Sequence, residues 1–244
     1  TNLSADADVD MTCYIWDVSK TAEGTYNDRY AWLINKTVTP ESQSGFAGDT
    51  LEWTWSITWE SYFVAEENHA VSGVITVDNP APMELTVDVT DYLTGPFAAS
   101  VTCNDGDGGT SLTIAAYSSG TCDYTAAPGS QLAQNTAEAT RNGVTVSDTV
   151  NVNWVQQADT GMDASIDDSS EEVIPIDASQ PFTYTRSHMC STDEGAYDEF
   201  GNYDGSAYNE ATITWDGGSL SDDATTAYDC YIWDVSKTAE GTYN

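Results

Sequence analysis

Apolar and polar residues alternate without interruption along one stretch of the chain, Leu51-Glu-Trp-Thr-Trp-Ser-Ile-Thr-Trp59. A period of two places every second side chain on the same face of a β-strand. The apolar face of this strand carries Trp53, Trp55 and Trp59. The alternation favours tryptophans packed in a core over tryptophans exposed as platforms for sugar rings.

Further β-rich runs follow along most of the chain, separated by clusters of Gly, Pro, Asn and Asp that are typical of turns. No segment has the spacing of an amphipathic helix. The pattern predicts an all-β protein built from β-sandwiches. The predicted strands are Tyr30–Val38, Val71–Val77, Leu85–Thr90, Ser111–Ala115, Val144–Val155, Phe182–Arg186, Ala211–Trp215 and Cys230–Ser236.

One segment, CYIWDVSKTAEGTYN, occurs twice, as Cys13–Asn27 and as Cys230–Asn244. The offset is 230 − 13 = 217 residues, and a weaker similarity continues upstream of both copies. An identical segment flanked by weaker sequence similarity is typical of tandem repeats. We therefore predict a repeat of about 217 residues cut from a longer repetitive polypeptide. The competing interpretation is a duplicated swapping strand within one finished domain.

A second, weaker duplication lies inside this repeat. Asn135-Thr-Ala-Glu-Ala-Thr140 is echoed by Asn209-Glu-Ala-Thr-Ile-Thr214, and Val146-Ser-Asp148 by Leu220-Ser-Asp222. Each set is interpreted as the last two strands of a sandwich. This predicts two tandem domains, 28–156 and 157–244, the second including a linker to the next repeat. Residues 1–27 are then predicted to be the end of a preceding domain of the second type plus a linker.

The chain is strongly acidic, with 40 Asp and Glu against 6 Lys and Arg and a formal net charge of −34. Such a charge repels nucleic acids and anionic membranes and keeps a protein soluble. The sequence contains no run of about eighteen apolar residues, so no membrane span is predicted in this segment.

Five motifs follow one another along the first part of the chain: Tyr30-Ala-Trp-Leu-Ile-Asn-Lys-Thr-Val-Thr-Pro40, Ala70-Val-Ser-Gly-Val-Ile-Thr-Val-Asp-Asn-Pro-Ala-Pro82, Val101-Thr-Cys103, Gly120-Thr-Cys-Asp-Tyr124 and Asn135-Thr-Ala-Glu-Ala-Thr140. Taken in this order, they resemble a recurrent immunoglobulin-like module of bacterial and archaeal surface proteins. The second half of the chain, with Tyr184-Thr-Arg186, is similar to a companion module that alternates with it. The resemblance implies tandem β-sandwiches in a secreted or cell-surface protein and brings no catalytic residue. The acidic insert 191–207 departs from the pattern.

The five cysteines reduce to four per repeat, because Cys13 and Cys230 occupy the same repeat position. An even count in an exported β-protein favours disulfides. Position in the modules implies the pairs Cys103–Cys122 and Cys190–Cys230, with Cys13 bonded to the preceding repeat. A reactive thiol at Cys13 and metal binding are the disfavoured alternatives, since no C-x-x-C spacing occurs.

Candidate chemistry is sparse. His69 and His188 are the only histidines and lie in no catalytic motif, so they are expected at the surface and no enzymatic activity is predicted. Acidic loops with Asp105 and Asp107, and with Asp193 and Asp198, offer oxygen ligands for Ca²⁺, although solvated acidic loops are favoured over a metal site. No other cofactor is predicted. Asn35 and Asn2 begin N-glycosylation sequons.

Repeated sandwiches stapled by disulfides predict an extracellular structural filament or cell-surface stalk whose partners are adjacent repeats or other copies of the chain. The alternative is an adhesin module that binds glycans or a partner surface through its acidic insert or an exposed aromatic strip. Fold class alone does not separate the two functions.

Overall fold

The computed structural model describes residues 9–170 and 173–234, and these residues contain β-strands, one short 3₁₀ helix and no α-helix. The predicted all-β class is confirmed. The strands are β1 (Asp17–Lys20), β2 (Glu23–Thr39), β3 (Ser42–Phe46), β4 (Thr50–Asp78), β5 (Leu85–Leu93), β6 (Phe97–Ala98), β7 (Ser100–Cys103), β8 (Ser111–Ile114), β9 (Ser119–Ala126), β10 (Gln134–Arg141), β11 (Val144–Asn151), β12 (Asn153–Thr160), β13 (Ala164–Asp168), β14 (Phe182–Met189), β15 (Asn202–Trp215) and β16 (Gly218–Tyr231), and the 3₁₀ helix is Glu194–Ala196.

The described residues form two compact units that interleave along the sequence. Unit 1 comprises residues 9–28 and 65–158, and unit 2 comprises residues 29–64 together with the described residues after 158. The long strands β2 and β4 each contribute residues to both units. Because β4 continues without a break, its first half belongs to unit 2 and its second half to unit 1.

This division corrects the predicted contiguous domains 28–156 and 157–244, since residues 29–64 belong with the C-terminal part of the chain. The physical reason is the composition of the cores. The apolar face of the Trp-rich segment packs in two clusters of unit 2, with Trp59 beside Ile213 in one and Trp53 beside Cys230 in the other. Val71 and Ile75 of the same strand pack in unit 1.

Unit 1 is a sandwich of two sheets around one core. In the first sheet β1 and β9 pair with β4, and β7 pairs with β9. In the second sheet β10 lies between β11 and β5, and β8 pairs with β5. The core draws its buried side chains from both sheets, among them Val18, Val71, Ile75, Val77, Leu85, Val87, Val89, Leu93, Leu112, Ile114, Ala137 and Ala139.

Unit 2 has the same layered construction. Strand β14 pairs with β4 from Phe182↔Ile57 to Met189↔Thr50, and the second sheet has the order β13-β15-β16-β3. Leu51, Trp53, Trp55, Ile57 and Trp59 are all buried. The alternation of Leu51–Trp59 therefore predicted both the strand and its buried face correctly.

The two copies of the duplicated segment lie in different surroundings. In the first copy Val18 and Lys20 are buried on β1 of unit 1, and Cys13 is exposed. In the second copy Cys230 is buried at the end of β16 in unit 2, and residues 235–244 lie outside the described part of the chain. The prediction that residues 1–27 finish a preceding domain and then form a linker is therefore wrong for residues 17–27, because they form strands of unit 1.

Candidate functional site: a buried lysine, aspartate and asparagine in each unit

Lysine is rare in this chain and is placed in an unusual way. The sequence has three lysines, Lys20, Lys36 and Lys237, and Lys237 is the copy of Lys20 in the duplicated segment. Lys237 lies outside the described residues. Lys20 and Lys36 have fully buried side chains, although lysine is almost never buried unless it is paired.

In unit 1, Lys20 meets an aspartate and an asparagine, and we call these three residues the unit 1 triad. Lys20 lies on β1, Asp91 on β5 and Asn135 on the neighbouring strand β10. Lys20 Nζ is 2.5 Å from Asp91 Oδ2. Asn135 Nδ2 donates to Asp91 Oδ1 at 2.8 Å. One carboxylate therefore holds the amine on one oxygen and the carboxamide on the other.

Two further groups fix the position of Lys20. Its ammonium lies over the ring of Tyr124, 4.2 Å from the ring centre, in a cation–π contact. Its backbone N–H donates to Asp148 Oδ2 at 3.0 Å. The lysine is thus held at both its backbone and its side-chain nitrogen.

Unit 2 contains the same arrangement, the unit 2 triad. Lys36 lies on β2, Asp168 on β13 and Asn209 on β15. Lys36 Nζ is 2.5 Å from Asp168 Oδ2, and both side chains are fully buried. Asn209 Nδ2 donates to Asp168 Oδ1 at 3.2 Å and also to Ser170 Oγ.

The surroundings of the unit 2 triad also match. The backbone N–H of Lys36 donates to Asp222 Oδ2 at 2.7 Å, as that of Lys20 does to Asp148. Lys36 Nζ is 5.4 Å from the ring centre of Tyr184, and the Tyr184 hydroxyl donates to Asp168 Oδ1 at 2.8 Å. Two units of different sequence therefore preserve a lysine, two aspartates and an asparagine in equivalent roles, and each has a tyrosine ring near the ammonium group.

Burial alters the acid–base properties of the triads. Burial lowers the pKa of both Lys20 and Lys36, against the opposing effect of the neighbouring aspartates. Burial also raises the pKa of Asp91, although hydrogen bonds from Lys20 and Asn135 oppose the shift. In unit 1 both pKa shifts are therefore in the direction that favours the neutral form of each group.

Asp168 differs from Asp91 in the sign of its shift. Burial raises its pKa, but the combined hydrogen bonds from Lys36, the Ser170 backbone, Tyr184 and Asn209 outweigh burial and leave the pKa below its ordinary value. The additional donors around Asp168 explain why the two carboxyls respond differently.

Each triad leaves one polar atom without a partner. Asn135 Oδ1 and Asn209 Oδ1 are buried and accept no hydrogen bond within the described residues, a condition shared there with Trp53 Nε1 and Asn202 Oδ1. An unsatisfied buried carbonyl oxygen costs about 1–3 kcal/mol. Repetition of this cost at equivalent asparagines of both units indicates that their carboxamides have a role beyond packing.

The disulfides predicted from the module positions are both formed. Cys103 bonds Cys122 within unit 1, and Cys190 bonds Cys230 within unit 2. Cys13 has no disulfide partner among the described residues, and its bond to a preceding repeat stays a prediction.

The acidic loops use their carboxylates to stabilise turns. Asp105 accepts hydrogen bonds from the backbone of Asp107 and Thr113, and Asp193 caps the 3₁₀ helix. Asp198 accepts from the backbone of Phe200 and Asn202. Within residues 9–170 and 173–234, no three His, Cys, Asp or Glu side chains are grouped so as to hold a metal ion. Calcium binding stays a prediction.

The remaining candidates lie apart from the triads. Asn35 is exposed on β2, where a glycan would be accessible, and Asn2 is outside the described residues. The expectation that His69 lies at the surface is wrong, because its ring is buried between Tyr26 and Trp154 and pairs with Glu66. His188 is half-buried against Tyr228.

Comparisons with known proteins find similarity only to solved structures of low sequence identity. No protein-family model matches the sequence, and neither does any curated protein. No helix of the described residues is long and apolar enough to cross a membrane.

One similar solved structure contains the N-terminal eight Ig domains of Down syndrome cell adhesion molecule, which are 8% identical to this chain. The match covers 82% of this chain and 40% of that one, with a TM-score of 0.20. Titin domains z1z2 in complex with telethonin match at 10% identity over 82% of this chain and 98% of that one, TM-score 0.20. A titin Ig tandem matches at 10% identity over 88% of this chain and 100% of that one, TM-score 0.19.

Proposed function

We propose that the chain is an extracellular structural repeat protein, a segment of a filament or cell-surface stalk built from tandem immunoglobulin-like sandwiches. Both described units are sandwiches with a disulfide inside each. A disulfide-bonded, strongly acidic β-protein suits an oxidising extracellular environment. A length that grows with copy number needs no catalytic group.

The observation that carries the proposal is the division of the duplicated segment between two units. In the second copy, Cys230 forms the disulfide of unit 2. In the first copy, Val18 and Lys20 lie on β1, the first strand of unit 1, and are buried there. A segment that ends one unit and begins the next acts as a junction. A polypeptide that repeats this segment every 217 residues, the offset 230 − 13 between its copies, therefore alternates the two units along its length.

The tryptophan of the junction supports the same conclusion. Trp16 is half-buried against the unit 1 core, and its indole N–H donates to the Ala139 carbonyl at 3.2 Å. Its copy Trp233 is 64% exposed and meets only the edge of Phe46 among the described aromatic rings. In a continuous repeat each junction tryptophan would have a following unit 1 to pack against.

The length of the molecule tests this function. Polypeptides with one, two and three copies of the 217-residue repeat (230 − 13) are compared by small-angle scattering, and each added copy is expected to extend the maximum dimension by a constant increment. Negative-stain images of the native surface fraction are expected to show long thin fibres. Maximum dimensions that do not grow with copy number, or short separate particles on the cell surface, would contradict the stalk.

The alternative function, a glycan-binding adhesin, has one observation in its favour. Phe46, Tyr231 and Trp233 form an exposed aromatic cluster in unit 2, with the Phe46 ring centre 5.5 Å from that of Trp233. Exposed aromatic faces can stack on sugar rings. Glycan-array binding that is abolished by Trp233→Ala, and kept in the matched exposed-aromatic variant Tyr117→Ala of unit 1, would favour the adhesin.

A further inference from the structure

The two buried triads are difficult to explain as devices for stability alone. Burying a lysine and a carboxylate costs several kcal/mol per ion, and a well-packed apolar pair of similar volume is often equally or more stable. A chain with net charge −34 and three lysines would also reduce its self-repulsion more simply with lysines at the surface. Both described lysines are instead placed beside an Asp and an Asn.

We propose that each triad forms an intramolecular isopeptide bond, joining Lys20 to Asn135 in unit 1 and Lys36 to Asn209 in unit 2, with Asp91 and Asp168 transferring the protons. The inference rests on the proposed function in one respect only, namely that a tension-bearing repeat gives such bonds a purpose. The chemistry stands on the triads themselves.

The arrangement of atoms suits this reaction. In unit 1 the nucleophile Lys20 Nζ contacts Asp91 Oδ2, and the leaving nitrogen Asn135 Nδ2 contacts Asp91 Oδ1. A single carboxyl group therefore touches both the atom that must lose protons and the atom that must gain one. Fixed proximity of this kind replaces a bimolecular encounter and contributes strongly to rate. Asp168 makes the same two contacts in unit 2.

The reaction balances without an oxidant or a cofactor. The ammonium of lysine passes one proton to the carboxylate, which leaves a neutral amine, and burial of the lysine favours this form. The amine attacks Cγ of asparagine, so that the Nζ–Cγ bond forms and the carbonyl electrons move to Oδ1. The carboxyl group protonates Nδ2 and then accepts a proton from Nζ. The Cγ–Nδ2 bond breaks and ammonia leaves, taking up the remaining proton as ammonium.

The site excludes competing reactions and explains why the residue types recur. Fully buried side chains keep water from hydrolysing the carboxamide and from solvating the amine. The sequence similarity between the units pairs Asn135 with Asn209 and Asp148 with Asp222, and these residues carry or position the reacting groups. Two buried cross-links of the same chemistry follow.

The bonds would determine how tension passes through a stalk. A bond between Lys36 and Asn209 bypasses the 209 − 36 − 1 = 172 residues between them. A pull on the two ends would then follow the backbone to Lys36, cross to Asn209 and continue, leaving the intervening residues unloaded. The disulfide Cys190–Cys230 does not provide this bypass, because only one of its ends lies between the bonded residues.

Intact-mass spectrometry of the folded protein, after reduction and denaturation, tests the proposal. The expected mass is below the sequence mass by two ammonia molecules, and digestion is expected to yield one peptide pair linked through Lys20 and Asn135 and another through Lys36 and Asn209. A mass equal to the sequence mass would overturn both bonds, and a loss of one ammonia would overturn the bond whose linked peptides are missing. Ammonia lost within a single unlinked peptide, as in ring closure at Asn142-Gly143, counts against the proposal.

Variants separate the chemistry from folding. Lys20→Met and Asp91→Asn each prevent the unit 1 bond, so either variant is expected to lie one ammonia below its own sequence mass and not two. Lys36→Met and Asp168→Asn are expected to give the same result by preventing the unit 2 bond. Asn202→Ala is the matched control, because Asn202 Oδ1 is also buried and unpartnered but does not share a carboxylate with a lysine, so both bonds should remain. The wild-type mass decides the question even where a variant fails to fold. An unmodified mass would leave the length measurement, and with it the stalk, unaffected.

Discussion

Asp168→Ala is expected to lower the free energy of unfolding of unit 2 by at least about 3–5 kcal/mol, because it leaves the Lys36 ammonium buried without its counter-charge and removes the carboxyl group that the proposed Lys36–Asn209 bond requires. Lys36 Nζ has its ion pair with Asp168 and a longer contact of 3.4 Å with the Tyr184 hydroxyl. The change also removes the acceptor of hydrogen bonds from Tyr184 and Asn209. Denaturant unfolding followed by tryptophan fluorescence measures the effect, since Trp53, Trp55 and Trp59 are buried in unit 2.

The matched control is Asp167→Ala, which changes the adjacent but exposed carboxylate on the same strand. It should alter the free energy of unfolding by less than about 0.5 kcal/mol. The double variant Lys36→Met/Asp168→Leu removes both charges together and is expected to be more stable than Asp168→Ala, because neither variant can form the Lys36–Asn209 bond and only Asp168→Ala leaves an unpaired buried charge. Equal effects of Asp168→Ala and Asp167→Ala would refute a stabilising role for the buried carboxylate.

Replacing both cysteines of unit 2, Cys190→Ala/Cys230→Ala, is expected to cost about 4 kcal/mol. The bond closes a loop of 40 residues, and losing it gives the unfolded chain more conformational freedom. Both sulfur atoms also lie in a buried cluster with Val38, Trp53 and Tyr228, so their loss weakens packing as well. Thermal unfolding under oxidising conditions measures the change.

Cys103→Ala/Cys122→Ala serves as the comparison in unit 1. Its loop spans 19 residues, so the expected cost is smaller, about 3 kcal/mol. The exposed residue Cys13 offers a second comparison, and Cys13→Ser should leave the melting temperature of the isolated chain unchanged. If the unit 2 pair and Cys13→Ser gave the same melting temperature, the disulfide would have no structural importance in unit 2.

The strands could be predicted from the sequence because side-chain alternation is a local property. Leu51–Trp59 shows it most clearly, and every second side chain there is buried. The division into units could not be predicted in the same way. No glycine or proline interrupts residues 60–70, so β4 runs from one core into the other. Reading the domains as contiguous blocks therefore assigned residues 29–64 to the wrong unit.

The triads were missed because their members are distant in sequence. Asp91 is 71 residues from Lys20 and 44 from Asn135, and Asp168 is 132 residues from Lys36, so no motif of fixed spacing joins them. Two signals were present nonetheless. Lysine is scarce, and the internal duplication aligns Asn135 with Asn209. Only the folded strands show that these asparagines meet a lysine on a shared carboxylate.

Stretching a single chain tests directly the claim that tension crosses the repeat through covalent bonds inside its units. The chain is held at its two ends by optical tweezers with its disulfides reduced. In wild-type protein the 209 − 36 − 1 = 172 residues between Lys36 and Asn209 are expected to stay unextended, which is about 600 Å of contour at ~3.5 Å per residue. The variant Lys20→Met/Lys36→Met, which can form neither bond, is expected to release that length, and a wild-type chain that releases it as well would contradict the claim.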